Sequence, residues 1–206
     1  AAEGSIRVAD CTTPAQYFHL LRRQARIAKQ RPLVIMTPKS LLRLKQATSR
    51  VQELAQGRFE PVLAEPGIDP EQVTRLLLCS GKIYYDLTGH PAHKDNAGVA
   101  VGRVELLYPF PQAEILRLVA SYPRLHEVVW VQEEPRNMGA RAHMSPRLLQ
   151  TLPAHLHFGY VGRPERAASG EGYPLAHANE QNRIVSTALD LRQPVSQYPR
   201  EQPGER

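Results

Sequence analysis

Residues 130–140, WVQEEPRNMGA, are the densest polar group in the chain. Two adjacent carboxylates, Glu133 and Glu134, follow an apolar run that reads as a strand ending at Gln132. Paired carboxylates do acid–base work when their surroundings push their pKa values apart. More often they serve as acceptors for helix N-termini or as counter-ions for arginines, and that is the favoured reading. Gln132, Glu133, Glu134 and Asn137 are therefore the candidates for a polar cluster at a sheet edge, the place where open α/β sheets bind ligands. Gly139 would let the chain turn sharply into the next helix.

A second group has the composition of an anion site. Ser80-Gly81-Lys82 stands where a strand hands over to a helix, and a helix N-terminus favours negative charge. It is not a Walker A loop, because the upstream glycine and the Ser or Thr after Lys82 are missing. A tight turn with a solvated lysine is the plainer reading. Arg31 precedes an apolar run, and Lys39, Ser40 and Arg43 follow it. A hydroxyl, a guanidinium and free backbone N–H groups on one helical turn after Pro38 would suit a phosphate. Arg31, Lys39, Ser40, Arg43 and Lys82 are the candidate set, and docking against an acidic surface is the competing reading.

Charge sharpens both readings. Ten of the 26 Lys and Arg residues fall in the first fifty positions against only Glu3 and Asp10, which leaves that quarter at +8 and the remainder at −2. Such asymmetry points to an anionic ligand, an acidic partner or a contact with another domain. Aromatic residues are only 6% of the chain, and no RRM, KH or zinc-finger pattern appears, so a nucleic-acid partner is not expected. His90 with His93 and His155 with His157 lack any metal-binding context, and Ser169 sits in loop composition, so neither a metal site nor a catalytic serine is expected. Two cysteines, Cys11 and Cys79, are too few for a disulfide framework. No apolar run approaches the ~18 residues of a membrane span, and no leader pattern opens the chain, so a cytoplasmic setting is expected.

These groups need elements to hold them. A strand at 6–8 is followed by a helix with Thr13 as N-cap, Pro14 in its first turn and Gln16 as capping-box partner, running to Arg31-Pro32. Tyr17, Leu20, Leu21, Ala25 and Ala28 recur at helical spacing as its apolar face. Residues 33–37 read as a buried parallel strand, because the run is continuous rather than alternating. Residues 51–73, rich in Gly and Pro, read as a connector. Strands at 75–80, 99–106, 127–132 and 157–161 then alternate with helices at 82–87, 112–121, 140–151 and 175–189. That alternation predicts an α/β fold, a mostly parallel sheet flanked by helices.

Several long motifs in register carry a resemblance. Residues 13–24 (TPAQYFHLLRRQ), 31–43 (RPLVIMTPKSLLR), 79–87 (CSGKIYYDL), 103–111 (RVELLYPFP), 132–135 (QEEP) and 162–164 (GRP) resemble the C-terminal part of the decarboxylating component of 2-oxoglutarate dehydrogenases, an oxidoreductase family of the tricarboxylic acid cycle. The resemblance implies a transketolase-like architecture. Residues 1–45 would end a pyrimidine-binding domain, 46–191 would form the C-terminal α/β domain, and 192–206 would be a disordered tail. It also implies thiamine diphosphate and Mg2+ in the full-length enzyme, a second subunit of a homodimer, and a lipoyl-bearing succinyltransferase partner. The family's diphosphate and magnesium motif, its activating glutamate and its active-site histidine are expected upstream of residue 1. This chain alone is therefore expected to hold no cofactor, to supply no catalytic residue and to be inactive. Regulation in the family suggests acetyl-CoA or AMP for the basic set, with a regulatory module as the alternative function.

Overall fold

The computed structural model describes residues 2–193 and 195 of the 206-residue chain. Its centre is a five-stranded sheet in the order β3-β5-β4-β7-β8, formed by β3 (Val62–Leu63), β4 (Arg75–Cys79), β5 (Val99–Val104), β7 (Glu127–Pro135) and β8 (His157–Arg163). Four of these strands run parallel, and β3 closes one edge antiparallel. The continuous run Leu76-Leu77-Leu78-Cys79 is fully buried because both faces of a parallel sheet are covered by helices. Successive residues feed opposite cores. Leu76, Leu78, Val128 and Trp130 pack with α5 (Gln112–Ala120) and α6 (Arg141–Thr151). Leu77, Cys79, Val129 and Val131 pack with α3 (Ile83–Gly89) and α7 (Pro174–Leu189). The α/β expectation therefore holds.

A second, three-stranded sheet has the order β2-β1-β6. Here β1 (Arg7–Ala9) runs parallel to β2 (Leu33–Ile35) and antiparallel to β6 (Leu106–Tyr108). Its core is small: Ala9, Leu20, Phe59 and Leu106. The run 99–106 read as one strand is two, split at Glu105, and each half joins a different sheet.

Other local readings are corrected. The first helix, α1 (Pro14–Arg26), ends five residues before Arg31, because Arg7 and Gln24 bind the carbonyls of Lys29 and Arg31 and fold the loop back. Thr13 caps it, accepting from the Gln16 N–H at 3.2 Å. The Gln16 side chain closes no capping box; its amide pairs with the backbone of Glu60 in both directions, at 2.6 and 3.1 Å. Along α1 only Leu20 of the expected apolar stripe is buried, while Tyr17, Leu21, Ala25 and Ala28 are exposed. The strand β2 is parallel as read, but it lies at an edge and its residues are half-buried or exposed. The supposed connector holds α2 (Val51–Ala55), β3 and a short 3-10 turn. A short α4 (Pro91–Lys94) completes the helices. Of the expected tail, Val195 is 4% exposed and packs on Gly159; residues 194 and 196–206 lie outside the described residues.

Candidate functional site

The carboxyl edge of the large sheet is closed by a ring of polar side chains. β4 ends in a turn at Gly81, whose φ of +69° suits a residue without Cβ. That turn delivers Lys82 between two carboxylates, 3.2 Å from Asp86 Oδ2 and 2.8 Å from Glu133 Oε2. Gln181 on α7 donates to Asp86 at 2.8 Å and accepts from Arg163 at 3.2 Å. Arg163, 2% exposed at the end of β8, donates to the Glu133 carbonyl and pairs with Glu171 at 3.0 Å. The ring thus runs Lys82, Asp86, Gln181, Arg163 and back to Glu133. Burial pulls the Lys82 pKa down, but Glu133 and Asp86 outweigh it and leave it above the ordinary lysine value. Lys82 is a charged strut whose positive charge is already matched.

The predicted edge cluster separates into roles. Glu133, partly buried, is the counter-ion of Lys82 rather than a free acid or base. Glu134 is exposed beside Gly139. β7 continues through both residues to Pro135, three residues beyond the expected end at Gln132. Gln132 is 3% exposed and structural. It accepts from the Trp130 indole at 3.1 Å and donates to the carbonyls of Glu134, Pro135 and Met138. Asn137 exchanges two hydrogen bonds with the backbone of Arg166, at 3.0 and 3.2 Å.

The basic set is only partly brought together. Ser40 and Lys82 line one cleft of about 460 Å³, with Thr13, Tyr84, Tyr85 and Arg103. Arg31, Lys39 and Arg43 lie outside that lining. Arg31 donates to the Gln30 carbonyl on the loop after α1. Lys39 and Arg43 are exposed on a five-residue 3-10 helix, Lys39–Arg43.

Sequence reading missed the junction between the two sheets. Glu105 is fully buried where β5 gives way to β6. Its carboxylate accepts from the Thr12 N–H at 3.0 Å and from the Thr12 hydroxyl, and its carbonyl accepts from the Asp10 N–H at 2.9 Å. Arg103 donates to Thr12 Oγ1 at 3.0 Å and lies 4.2 Å over the Tyr84 ring, while the Tyr85 hydroxyl donates to the Thr12 carbonyl at 2.8 Å. Burial raises the Glu105 carboxyl above the ordinary value, with the Thr12 bonds opposing. Asp10, 8% exposed, is pushed from 3.8 to about 7 by burial first and then by Glu105, Glu134 and Glu133. One signal was available: Glu105 is a lone charge inside the apolar run Val104-Glu105-Leu106-Leu107.

Fold and edge together define a helix-covered, largely parallel α/β domain joined through a buried polar junction to a small, thinly covered sheet. The sequence profile of the 2-oxoglutarate dehydrogenase C-terminal family matches residues 48–189, and the chain belongs to that family. It is 47% identical over 196 residues to the 2-oxoglutarate dehydrogenase E1 components of Shouchella clausii and of Bacillus subtilis, covering 92% of this chain and 21% of each relative. Against the E1 component of a Geobacillus species it is 43% identical over 199 residues, covering 94% of this chain and again 21% of the relative. The chain spans about a fifth of the length of these curated relatives.

Proposed function

We propose that the chain serves as the scaffold and subunit-contact portion of a 2-oxoglutarate dehydrogenase E1 enzyme. That enzyme would decarboxylate 2-oxoglutarate oxidatively and pass the succinyl group to a lipoyl-bearing partner, as a cytoplasmic homodimer. On this reading residues 1–45 complete a pyrimidine-binding domain of transketolase type and 46–191 form the domain that follows it. The observation that carries it is the apolar surface left open around the small sheet. Tyr17, Phe18 and Leu21 on the outer side of α1, and Val34 in β2 with Met36 just after it, are each 43–52% exposed. Val34 also stands on a free strand edge, since among the described residues β2 pairs only with β1. Apolar side chains beside an open strand edge suit a protein neighbour rather than water.

Among the described residues no three His, Cys, Asp or Glu side chains come together where a metal ion could sit. On this reading a magnesium-bound diphosphate is held by other parts of the enzyme, and this chain contributes shape and contact. Also among the described residues, no helix is long and apolar enough to cross a membrane. Two measurements test the proposal. Sedimentation should show self-association of the chain that weakens in Leu21→Asp, and a monodisperse monomer at high concentration refutes the contact role. A turnover assay with 2-oxoglutarate and an artificial electron acceptor should give no activity from the chain alone, and clear activity overturns the scaffold reading.

The shared cleft of Ser40 and Lys82 supports a second reading, a regulatory site for an adenine nucleotide or acetyl-CoA. Arg103 and two tyrosines line the same cleft, which suits a ring bearing an anionic group. Calorimetry with AMP and acetyl-CoA on the chain and on Ser40→Ala, at low salt, decides it; no heat from either protein retires the site.

A further inference from the structure

The junction between the two sheets contains a carboxyl with one oxygen that no bond accounts for. Asp10 directly follows β1 of the small sheet, and its side chain presses on the turn that opens α3 of the large one. Asp10 Oδ2 is 2.5 Å from where a Cβ on Gly81 would stand, so the carboxyl fills the space that the glycine leaves. The Ser80 hydroxyl bonds the carboxyl, but Asp10 Oδ1 is buried with no hydrogen-bond partner. A buried carboxylate oxygen without a donor is costly, whereas a protonated carboxyl carries no net charge into the interior.

The neighbours make ionisation harder still. Glu105 faces Asp10 from the β5–β6 junction, and Glu133 and Glu134 face it from β7. The thiols of Cys11 and Cys79 also lie near, and burial holds both in the neutral form. The nearby cations are engaged elsewhere. Lys82 is matched by Asp86 and Glu133, and Arg103 is bound to Thr12 and stacked on Tyr84. The Tyr85 hydroxyl is likewise committed, donating to the Thr12 carbonyl.

We propose that Asp10 is a proton-controlled latch between the two sheets: with its proton it lets the segment after β1 seat on the Ser80–Lys82 turn, and without it the repulsion from Glu105, Glu133 and Glu134 loosens that seat. The direction follows from the folded-state value of about 7 against an ordinary 3.8. A carboxyl raised in the folded state binds its proton more tightly there than when unfolded. Stability is therefore full at low pH, falls as pH rises from about 4, and levels off once pH has passed about 7. The latch concerns how the two sheets hold together and is independent of any ligand in the neighbouring cleft.

Asparagine has the shape of the protonated acid and cannot ionise, so Asp10→Asn is the informative variant. The unfolding constants of the full chain and of Asp10→Asn would be measured by urea titration at pH 5.5 and pH 8.5. The ratio of wild type to variant should rise about 30-fold between those two values. A ratio that stays constant across the range overturns the latch. The second measurement needs no variant: the 13C shift of the Asp10 Cγ is followed against pH in the unmodified chain. A midpoint near 7 supports the proposal, and a midpoint in the ordinary carboxylate range overturns it even if the variant fails to fold.

Discussion

Replacing Arg75 by alanine should be among the most damaging single changes available in this chain. Arg75 opens β4 and is 3% exposed, yet every polar arm of it is used. Nε pairs with Glu127 Oε2 of β7 at 2.6 Å. Nη1 donates to the carbonyls of Ala188 and Asp190 at 3.1 and 3.0 Å, and Nη2 donates to that of Gln193 at 3.0 Å. One guanidinium thus joins two strands and caps the last turn of α7. Breaking a buried pair by removing one partner costs about 3–5 kcal/mol. Glu127 keeps 17% of its side-chain surface, so water would recover part of that loss. The orphaned carbonyls at the end of α7 work in the other direction. A loss of about 4 kcal/mol is expected, or a fall in Tm of roughly 8–16 °C for a chain of this size. Urea and thermal unfolding of Arg75→Ala, Glu127→Ala and the double variant provide the assay. The double variant should lose much less than the sum, because each single change already strands the other charge. A loss below about 1 kcal/mol for Arg75→Ala, or strict additivity, refutes the clamp.

Gly81→Ala should cost about 2 kcal/mol or more, since it adds both left-handed backbone strain and a collision with the Asp10 carboxyl; denaturant unfolding reads it, and a neutral result means that the turn can relax. Cys79 is wholly buried and its thiol is pushed well above the ordinary range by that burial, so it should resist iodoacetamide in the folded chain and react once urea unfolds it. Rapid alkylation of Cys79 at pH 8 without denaturant would contradict the packing of β4.

What was legible followed from local chemistry. The run Leu76-Leu77-Leu78-Cys79 and the alternation after residue 75 announced a helix-covered parallel sheet, because burial on both faces leaves no polar positions. The Thr13 cap was equally plain, since its partner is three residues away. What failed depended on distant partners. Gln16 had the spacing of a capping-box residue, but the backbone of Glu60, 44 positions on, supplies both a donor and an acceptor. Glu133 read as a partner for an arginine or a helix N-terminus, but its partner is Lys82, which arrives from another strand end. The basic set combined residues on either side of an edge strand, and spacing says nothing of where an exposed turn such as that from Lys39 to Arg43 will point. The Asp10–Glu105 contact joins positions 95 apart, so no window on the sequence contains it.

The split at Glu105 also bears on how force passes through the molecule. β5 ends at Val104 in one sheet and β6 begins at Leu106 in the other, so Glu105 alone joins those two strands. A joint of one residue has no slack; a tilt of the small sheet must either turn the φ and ψ of Glu105 or drag β5 along its neighbours. The Glu105 side chain is tied to Thr12, and its backbone N–H donates to Pro61, which stiffens that joint further. A push on the exposed side of α1 is therefore carried into β5, the second strand of the large sheet, as displacement, much as a rigid crank carries rotation. A cut drawn near residue 45 would remove β1 and β2 and leave β6 a lever with nothing to bear on.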